Sequence, residues 1–373
     1  PTKRDTLLRA AGDSNFRIVV DSKTEARSES KDRVWRRWES YCDEYLGGPD
    51  PSLAGVSRAD TEFACRTFIE LYRGSNFSVT GSITGQRKVP MAGSTVREAI
   101  STLGTKMRHD FGTHPFHTET GANREYRINV REHLTAIDSI SPARKYQQAI
   151  TSEFLRCMSD HAFQALLNNP EDHITDILIS AFFFAMRSCE FSHVPTVGKT
   201  INIRLGGIRF YTQDCQVIPH HHPQLLELAF FVWILFEDQK NRLKCDSRTQ
   251  MKTKDPRLCP VRSTGRAVQR VIRFVKNYND DTPLCTFHKR GRRAKFITQD
   301  YSLQFIRKIC DTYGGVERFG FHKEEIGNRS IRSGAAMALF LNDHSSDKIM
   351  ILGRWKSKAF LDYTANDLHR TTS

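Results

Sequence analysis

The stretch "ILISAFFFAM", residues 177–186, constrains this chain more than any other, because it is the longest apolar-rich run and Arg187 follows it at once. A membrane-spanning helix needs about 20 such residues. The run is too short for that and reads as a buried helix inside a packed domain. With 373 residues, 39% apolar and 10% aromatic, the chain is long and apolar enough for two domains with their own cores.

Punctuation and periodicity divide the chain. Residues 1–30 are polar and mixed in charge and predict a loosely held arm. The opening "PTKRDT" has neither a start methionine nor the apolar core of a signal peptide, which predicts a trimmed or processed chain. In "DRVWRRWESYCDEYLGG", Val34, Trp38, Tyr41 and Tyr45 share one helical face, and the glycines at 47–48 end the helix. A second helix is predicted in "ADTEFACRTFIELYRG", with Phe63, Phe68, Leu71 and Tyr72 apolar. The Gly- and Ser-rich residues 74–94 predict a loop or small hairpin, on which Arg87 and Lys88 are expected contacts for a polyanion. Thr95 and Glu98 have capping-box spacing ahead of a third helix, and "NREYRINVREHLTAI" is the fourth. The expected organisation is an arm (1–30), a basic helical domain (31–140) and a second domain (141–373), with Pro142 near the boundary. Beyond it, helices are predicted over 143–158, 161–168 and 173–188. "TINIRLGGIRFY" and "LLELAFFVWILFED" predict two or three antiparallel strands. The remainder is mostly helical, over 263–278, 298–312, 328–342, 345–352 and 357–368.

Charge narrows the partner. Lys and Arg number 56 against 42 acids, an excess of 14 that suits a polyanion, nucleic acid being the commonest. No basic amphipathic helix stands out, which weighs against a membrane surface. The nine cysteines form no CxxC pair, which predicts reduced thiols and no zinc ribbon. The histidines of "PHHHP" (219–223) are adjacent on a loop and lack nearby partner ligands, so no metal site is expected there. The densest basic run, "HKRGRRAKF" (288–296), reads as phosphate contacts from Lys289, Arg290, Arg292, Arg293 and Lys295, as a nuclear localisation signal, or as a solvated loop.

Four pieces carry potential chemistry. Arg187 and Glu190 stand three apart in "AMRSCE", either as a surface ion pair or as a buried, partnered charge. Lys240 sits in a turn after an apolar strand. Arg329 and Arg332 in "NRSIRSGAAMALFL" are one turn apart, and two guanidiniums on one face favour an anion between them. "ILGRWKSKAFLDYT" ends on Tyr363, eight residues beyond Trp355.

In this order, R-x-x-E, a turn Lys, S-I-R-S-G-A-A and G-R-W with Tyr eight beyond, the set resembles the tyrosine recombinase family. The likeness is strongest to recombinases of eukaryotic mobile elements of the Crypton and DIRS kind, through "QKN", "LCPVR" (258–262) and "GRW-x-S-x-A-F-x-x-Y", and it covers roughly residues 177–364. The resemblance implies a mainly α fold with a small antiparallel β-sheet. A helical core-binding domain and an α+β catalytic domain would close as a C-shaped clamp on double-stranded DNA. It implies cutting and rejoining through a 3′-phosphotyrosyl intermediate, with no metal and no cofactor. Arg187 and Arg332 would hold the non-bridging oxygens, Trp355 would donate an indole N–H, Lys240 would protonate the leaving oxygen and Tyr363 would attack. Glu190 would brace Arg187 from behind. The family usually has His where this chain has Arg329, an arginine that stays protonated and so cannot act as a base. In bacterial and phage relatives the His/Trp donor falls nine before the Tyr, on Arg354; in the mobile-element branch it falls on Trp355, the assignment favoured here, with Arg354 left as a DNA contact. The resemblance further implies a homo-tetramer, or dimer, on paired DNA sites, and residence in the nucleus, or otherwise in the cytoplasm on DNA. A type IB topoisomerase and a domesticated, non-cutting DNA-binding protein are the rival expectations.

Overall fold

The computed structural model describes residues 25–48, 50–112, 115–118, 125–141, 147–162, 169–194, 200–238, 244–287, 295–357 and 360–361. The chain divides into two compact units, Pro1–Arg144 and Lys145–Ser373. It is mainly α-helical with a small antiparallel sheet.

The first unit packs helices α1 (Glu25–Leu46), α2 (Arg58–Gly74), α3 (Gly93–Phe111) and α4 (Ile128–Ile140) around one apolar core. Helix α1 begins at Glu25, so residues 25–30 belong to a helix and not to the expected arm. It ends where Gly47 turns left-handed at φ 65°. Val34, Trp38 and Tyr41 are buried as their spacing predicts, whereas Tyr45 stays 53% exposed and stacks on Tyr41 at 5.7 Å. Phe63, expected on the apolar side of α2, is 70% exposed. The Thr95–Glu98 capping box does not form. Helix α3 starts two residues earlier at Gly93, whose amide donates to Ser141 Oγ at 2.9 Å. A Cβ at Gly93 would meet Asp138 at 2.1 Å, so the close approach to the end of α4 sets this start. Residues 74–94 hold the hairpin of β1 (Ser75–Phe77) and β2 (Ile83–Gln86).

In the second unit the apolar run begins in α6 (Pro170–Phe183), buried along 172–182, and its last three residues, 184–186, form the turn that follows. Helices α5 (Ser152–Ala162), α9 (Pro260–Phe274) and α12 (Ser330–Leu341) cover α6. Two of its polar residues are paired inward: Ser180 Oγ meets Ser263 at 3.0 Å and Thr264 at 2.9 Å, and Asp176 takes Arg266 and Arg270 from α9. Helix α5 starts at Ser152, not near 143, because residues 148 and 150 give their amides to Glu325 O (2.9 Å) and Ser330 O (3.1 Å). The expected helix over 161–168 continues α5 only to Ala162, and 163–168 lie outside the described residues.

The sheet has four strands in the order β4 (Val217–Ile218), β3 (Ile208–Tyr211), β5 (Phe231–Asp238), β6 (Lys244–Met251). The expected strands are shorter than read. Leu205–Gly207 form a 3₁₀ turn, with Gly206 tight against Asp280, and Leu225–Leu228 form a helical turn, α8. Strand β6, "KCDSRTQM", is a fourth strand that its polar sequence did not announce. Its register sets Gln250 opposite Val232, Arg248 opposite Ile234 and Asp246 opposite Phe236. Cross-strand partners share a face, so these three polar residues lie on the face where Val232, Ile234 and Phe236 are buried. The remaining elements include α7 (Ser188–Phe191), the β7 (Thr286–Phe287) and β8 (Lys295–Phe296) pair, α10 (Gln299–Thr312), α11 (Gly315–Phe319) and α13 (Ser346–Gly353). Of the helix expected over 357–368, only 360–361 lie beyond Ser357 within the described residues.

Candidate active site

Two helix C-termini converge on the polar face of β6. The last carbonyls of a helix have no partner inside it and carry the negative end of its dipole. At the end of α6, Gln250 Nε2 donates to Phe183 O at 2.8 Å, Arg354 Nη1 to Phe184 O at 3.0 Å, and Arg332 Nη1 to Ala185 O. Ala185 holds φ 46°, an uncommon left-handed conformation for a residue with a side chain, and these donors pin the turn. At the end of α13, Arg332 Nη2 donates to Gly353 O, and Arg248 donates to Ile351 O at 3.1 and 2.8 Å.

Arg187 leaves the α6 turn as the N-cap of α7. Glu190 closes the turn: its Oε2 accepts from the Arg187 amide at 2.8 Å and its Oε1 from Arg187 Nη1 at 2.9 Å. The pair is not a surface pair, since the side chains are 18% and 1% exposed. Oε2 also accepts from Arg354 Nη2 at 2.6 Å, so one buried carboxylate serves two guanidiniums. Arg187 Nη2 reaches the carbonyl of Arg354 at 3.4 Å.

Arg332 lies in the first turn of α12 and is 7% exposed. Gly334, on the next turn, lets this helix press on Ile150; a Cβ there would meet Ile150 O at 2.0 Å. The Arg332 guanidinium lies 4.2 Å from the centre of the Trp355 ring. Trp355 in turn covers Gly353, where a Cβ would fall 1.6 Å from the indole, and sits 5.8 Å from Phe360. The segment of Arg187 and Glu190 is therefore brought to Arg332 and Trp355 from about 140 and more residues away.

Arg354 departs from expectation. Expected as a DNA contact, it is 2% exposed, paired with Glu190 and stacked 3.6 Å from the centre of the Phe236 ring, so its side chain is not at the surface. Its left-handed backbone (φ 58°, ψ 39°) caps α13. Burial lowers its pKa, and Glu190 opposes that shift. Arg329 also differs from the reading of a shared face. It precedes the first helical residue and is exposed, while Arg332 is buried. Arg248 was not foreseen at all. Only the strand register, which sets it opposite buried Ile234, marks it as inward. Arg187, Arg248, Arg332 and Arg354 stand against the carboxylates of Glu190 and Asp246, an excess of two positive charges among these six groups.

Lys240 and Tyr363 lie outside the described residues, as do Lys289, Arg290, Arg292 and Arg293. Lys295 is exposed on β8. In the first unit Lys88 is exposed, and Arg87 ties its Nε to Ser75 O at 3.0 Å. His220 of "PHHHP" sets its ring nitrogen 2.8 Å from Ile208 O of β3, and His222 accepts from the Gln224 amide at 3.2 Å, so both rings hydrogen-bond to backbone.

No protein-family model matches this chain, and no curated protein matches it. Among solved structures it is similar to the XerH site-specific recombinase bound to difH substrate, at 14% identity and a TM-score of 0.48 over 90% of this chain and 76% of that one. It is also similar to the Tn1549 transposon integrase in complex with transposon right end DNA, at 10% identity and a TM-score of 0.49 over 96% of this chain and 98% of that one.

Proposed function

We propose that this chain is a site-specific DNA recombinase or transposase of the tyrosine type, serving a mobile element of the Crypton or DIRS kind. The observation that carries the reading is the convergence of Arg187, Arg332 and Trp355, with Glu190 behind Arg187, beside a cationic turn eight residues before Tyr363. The Tyr363 oxygen attacks a backbone phosphorus; a Tyr–O–P bond forms and the P–O5′ bond breaks. The Tyr363 proton leaves to solvent, and Lys240 delivers one to the departing oxygen. The pentavalent phosphate gathers negative charge, which the two guanidiniums and the indole N–H stabilise at roughly 3 kcal/mol each. Positioning supplies about 7–11 kcal/mol more. On this reading the enzyme needs no metal, assembles as a tetramer on paired double-stranded sites, and works in the nucleus.

The test is a pool of nicked duplexes with randomised cores, incubated with protein in EDTA. A covalent protein–DNA adduct, absent from Tyr363→Phe, is the expected result. Tight binding with no adduct means a DNA-binding protein without cutting activity. Relaxation of any supercoiled plasmid, with no strand exchange between two copies of a recovered site, means a topoisomerase of the same chemistry.

A further inference from the structure

We infer that Arg354 is a positioning residue: a buried strut that fixes Arg187 through Glu190 and lays Trp355 over Arg332. This rests on the recombinase reading above. The strut spans three parts of the fold. Its Nη1 holds Phe184 O at the end of α6, its Nη2 holds Glu190 Oε2 in α7, and its guanidinium covers Phe236 of β5. Glu190 Oε2 meets Arg354 and the Arg187 amide while Oε1 meets the Arg187 guanidinium, so removing Arg354 leaves the carboxylate tied only within the short α7 turn and loosens the brace that aims Arg187. The Arg354 carbonyl is itself an acceptor for Arg187 Nη2. The left-handed backbone at Arg354 also sets the turn into the next residue, Trp355, whose ring covers Gly353 and Arg332. A lysine cannot replace this fork, because one ammonium cannot bond in two directions while its plane stacks on an aromatic ring. Its side chain and that of Glu190 are 0% and 1% exposed, which removes Arg354 from direct contact with DNA.

The experiment uses a duplex recovered from the randomised pool, made once with a normal scissile phosphate and once with a neutral methylphosphonate there. The neutral group asks less of the cationic clamp, so a defect that acts through Arg187 shrinks on it. Arg354→Met is expected to lower the adduct rate about 100-fold on phosphate DNA and less than tenfold on methylphosphonate DNA. DNA affinity, read by anisotropy, should stay within twofold, and Arg354→Lys should not restore the rate. Should Arg354→Met fail to melt cooperatively, Glu190→Gln replaces it under the same criteria. An equal loss on both DNAs in a folded protein, no loss at all, or a tenfold loss of affinity overturns the assignment while leaving the recombinase reading intact. Absence of any adduct with the unmodified protein overturns both.

Discussion

At the scale of single residues, space and proton affinity make two measurable claims. Gly353 has no room for a methyl group, since its Cβ would fall 1.6 Å from the Trp355 ring. Gly353→Ala therefore forces the indole off Arg332. Overpacking of this kind costs about 1–3 kcal/mol. The variant should melt several degrees lower, with an altered near-UV dichroism and a loss of adduct formation; an unchanged near-UV spectrum would contradict the contact. The second claim concerns Asp172 and His173, neighbours in α6. Burial pushes the Asp172 carboxyl from 3.8 to about 6; Asp176 and Glu171 add to the rise, while Arg270 and Arg266 oppose it. Burial, helped by Arg270, brings the His173 ring from 6.5 down to about 4, against Leu284 O and Asp176. The raised carboxyl favours the fold at low pH, and that contribution fades as pH climbs through about 6. The lowered imidazole acts oppositely: its contribution is whole above 6.5 and fades as pH falls through about 4. The two nearly cancel between those limits. Asp172→Asn should unmask the histidine, so that stability rises from pH 4 to 6.5 by up to roughly 3 kcal/mol relative to the parent. Urea titrations at several pH values check this, and parallel profiles for parent and variant would refute it.

At the scale of elements, α6 is held to α9 by one carboxylate between two guanidiniums. Asp176 is 3% exposed, and Arg266 Nε lies 3.0 and 3.1 Å from its two oxygens, with Arg270 on the second. Removing one member of such a cluster leaves uncompensated buried charge, a loss of about 3–5 kcal/mol. Asp176→Ala should lower the urea midpoint with little change in slope, and a shift under about 1 kcal/mol would mean that solvent already screens the pair. The same helix marks what a sequence can disclose. Its burial was legible because ten consecutive apolar-rich residues have no other stable place. Helix α1 was legible through its apolar spacing and the glycines that end it. Strand β6 was not, because its inward residues are Asp246, Arg248 and Gln250, and polar alternation reads as surface. They point inward because two helix ends there present carbonyls that accept from them, Phe183 and Ile351 among them, an arrangement that exists only after folding. Arg354 was misread for the same reason. A charged residue before an aromatic looks like a contact for a polyanion until Glu190, 164 positions away, is seen to pair with it in the interior.

At the scale of the whole molecule, each of the two units carries its own apolar core, and the charge excess of 14 lies on top of them. Part of that total is offset locally: Arg187 and Arg354 share Glu190, and Arg266 and Arg270 share Asp176, so each pair of guanidiniums keeps one positive charge in excess. On the proposed reading, contact with DNA phosphates falls to exposed cations such as Lys88, Arg329 and Lys295. Exposed cations bind phosphates by releasing condensed counterions, which gives a slope of about −0.9 per contact in a plot of log affinity against log salt. A chain that grips a duplex over six or more phosphates should lose about a thousandfold or more in affinity between 50 and 200 mM salt. Neutralising Lys295 by substitution with Gln should flatten the slope by about one, whereas Arg354→Met should leave it untouched. Anisotropy titrations of a labelled duplex across that salt range decide the matter: a slope shallower than about −2 would leave the basic surface without a role in holding DNA, and a change of slope in Arg354→Met would return that residue to the surface from which its burial removes it.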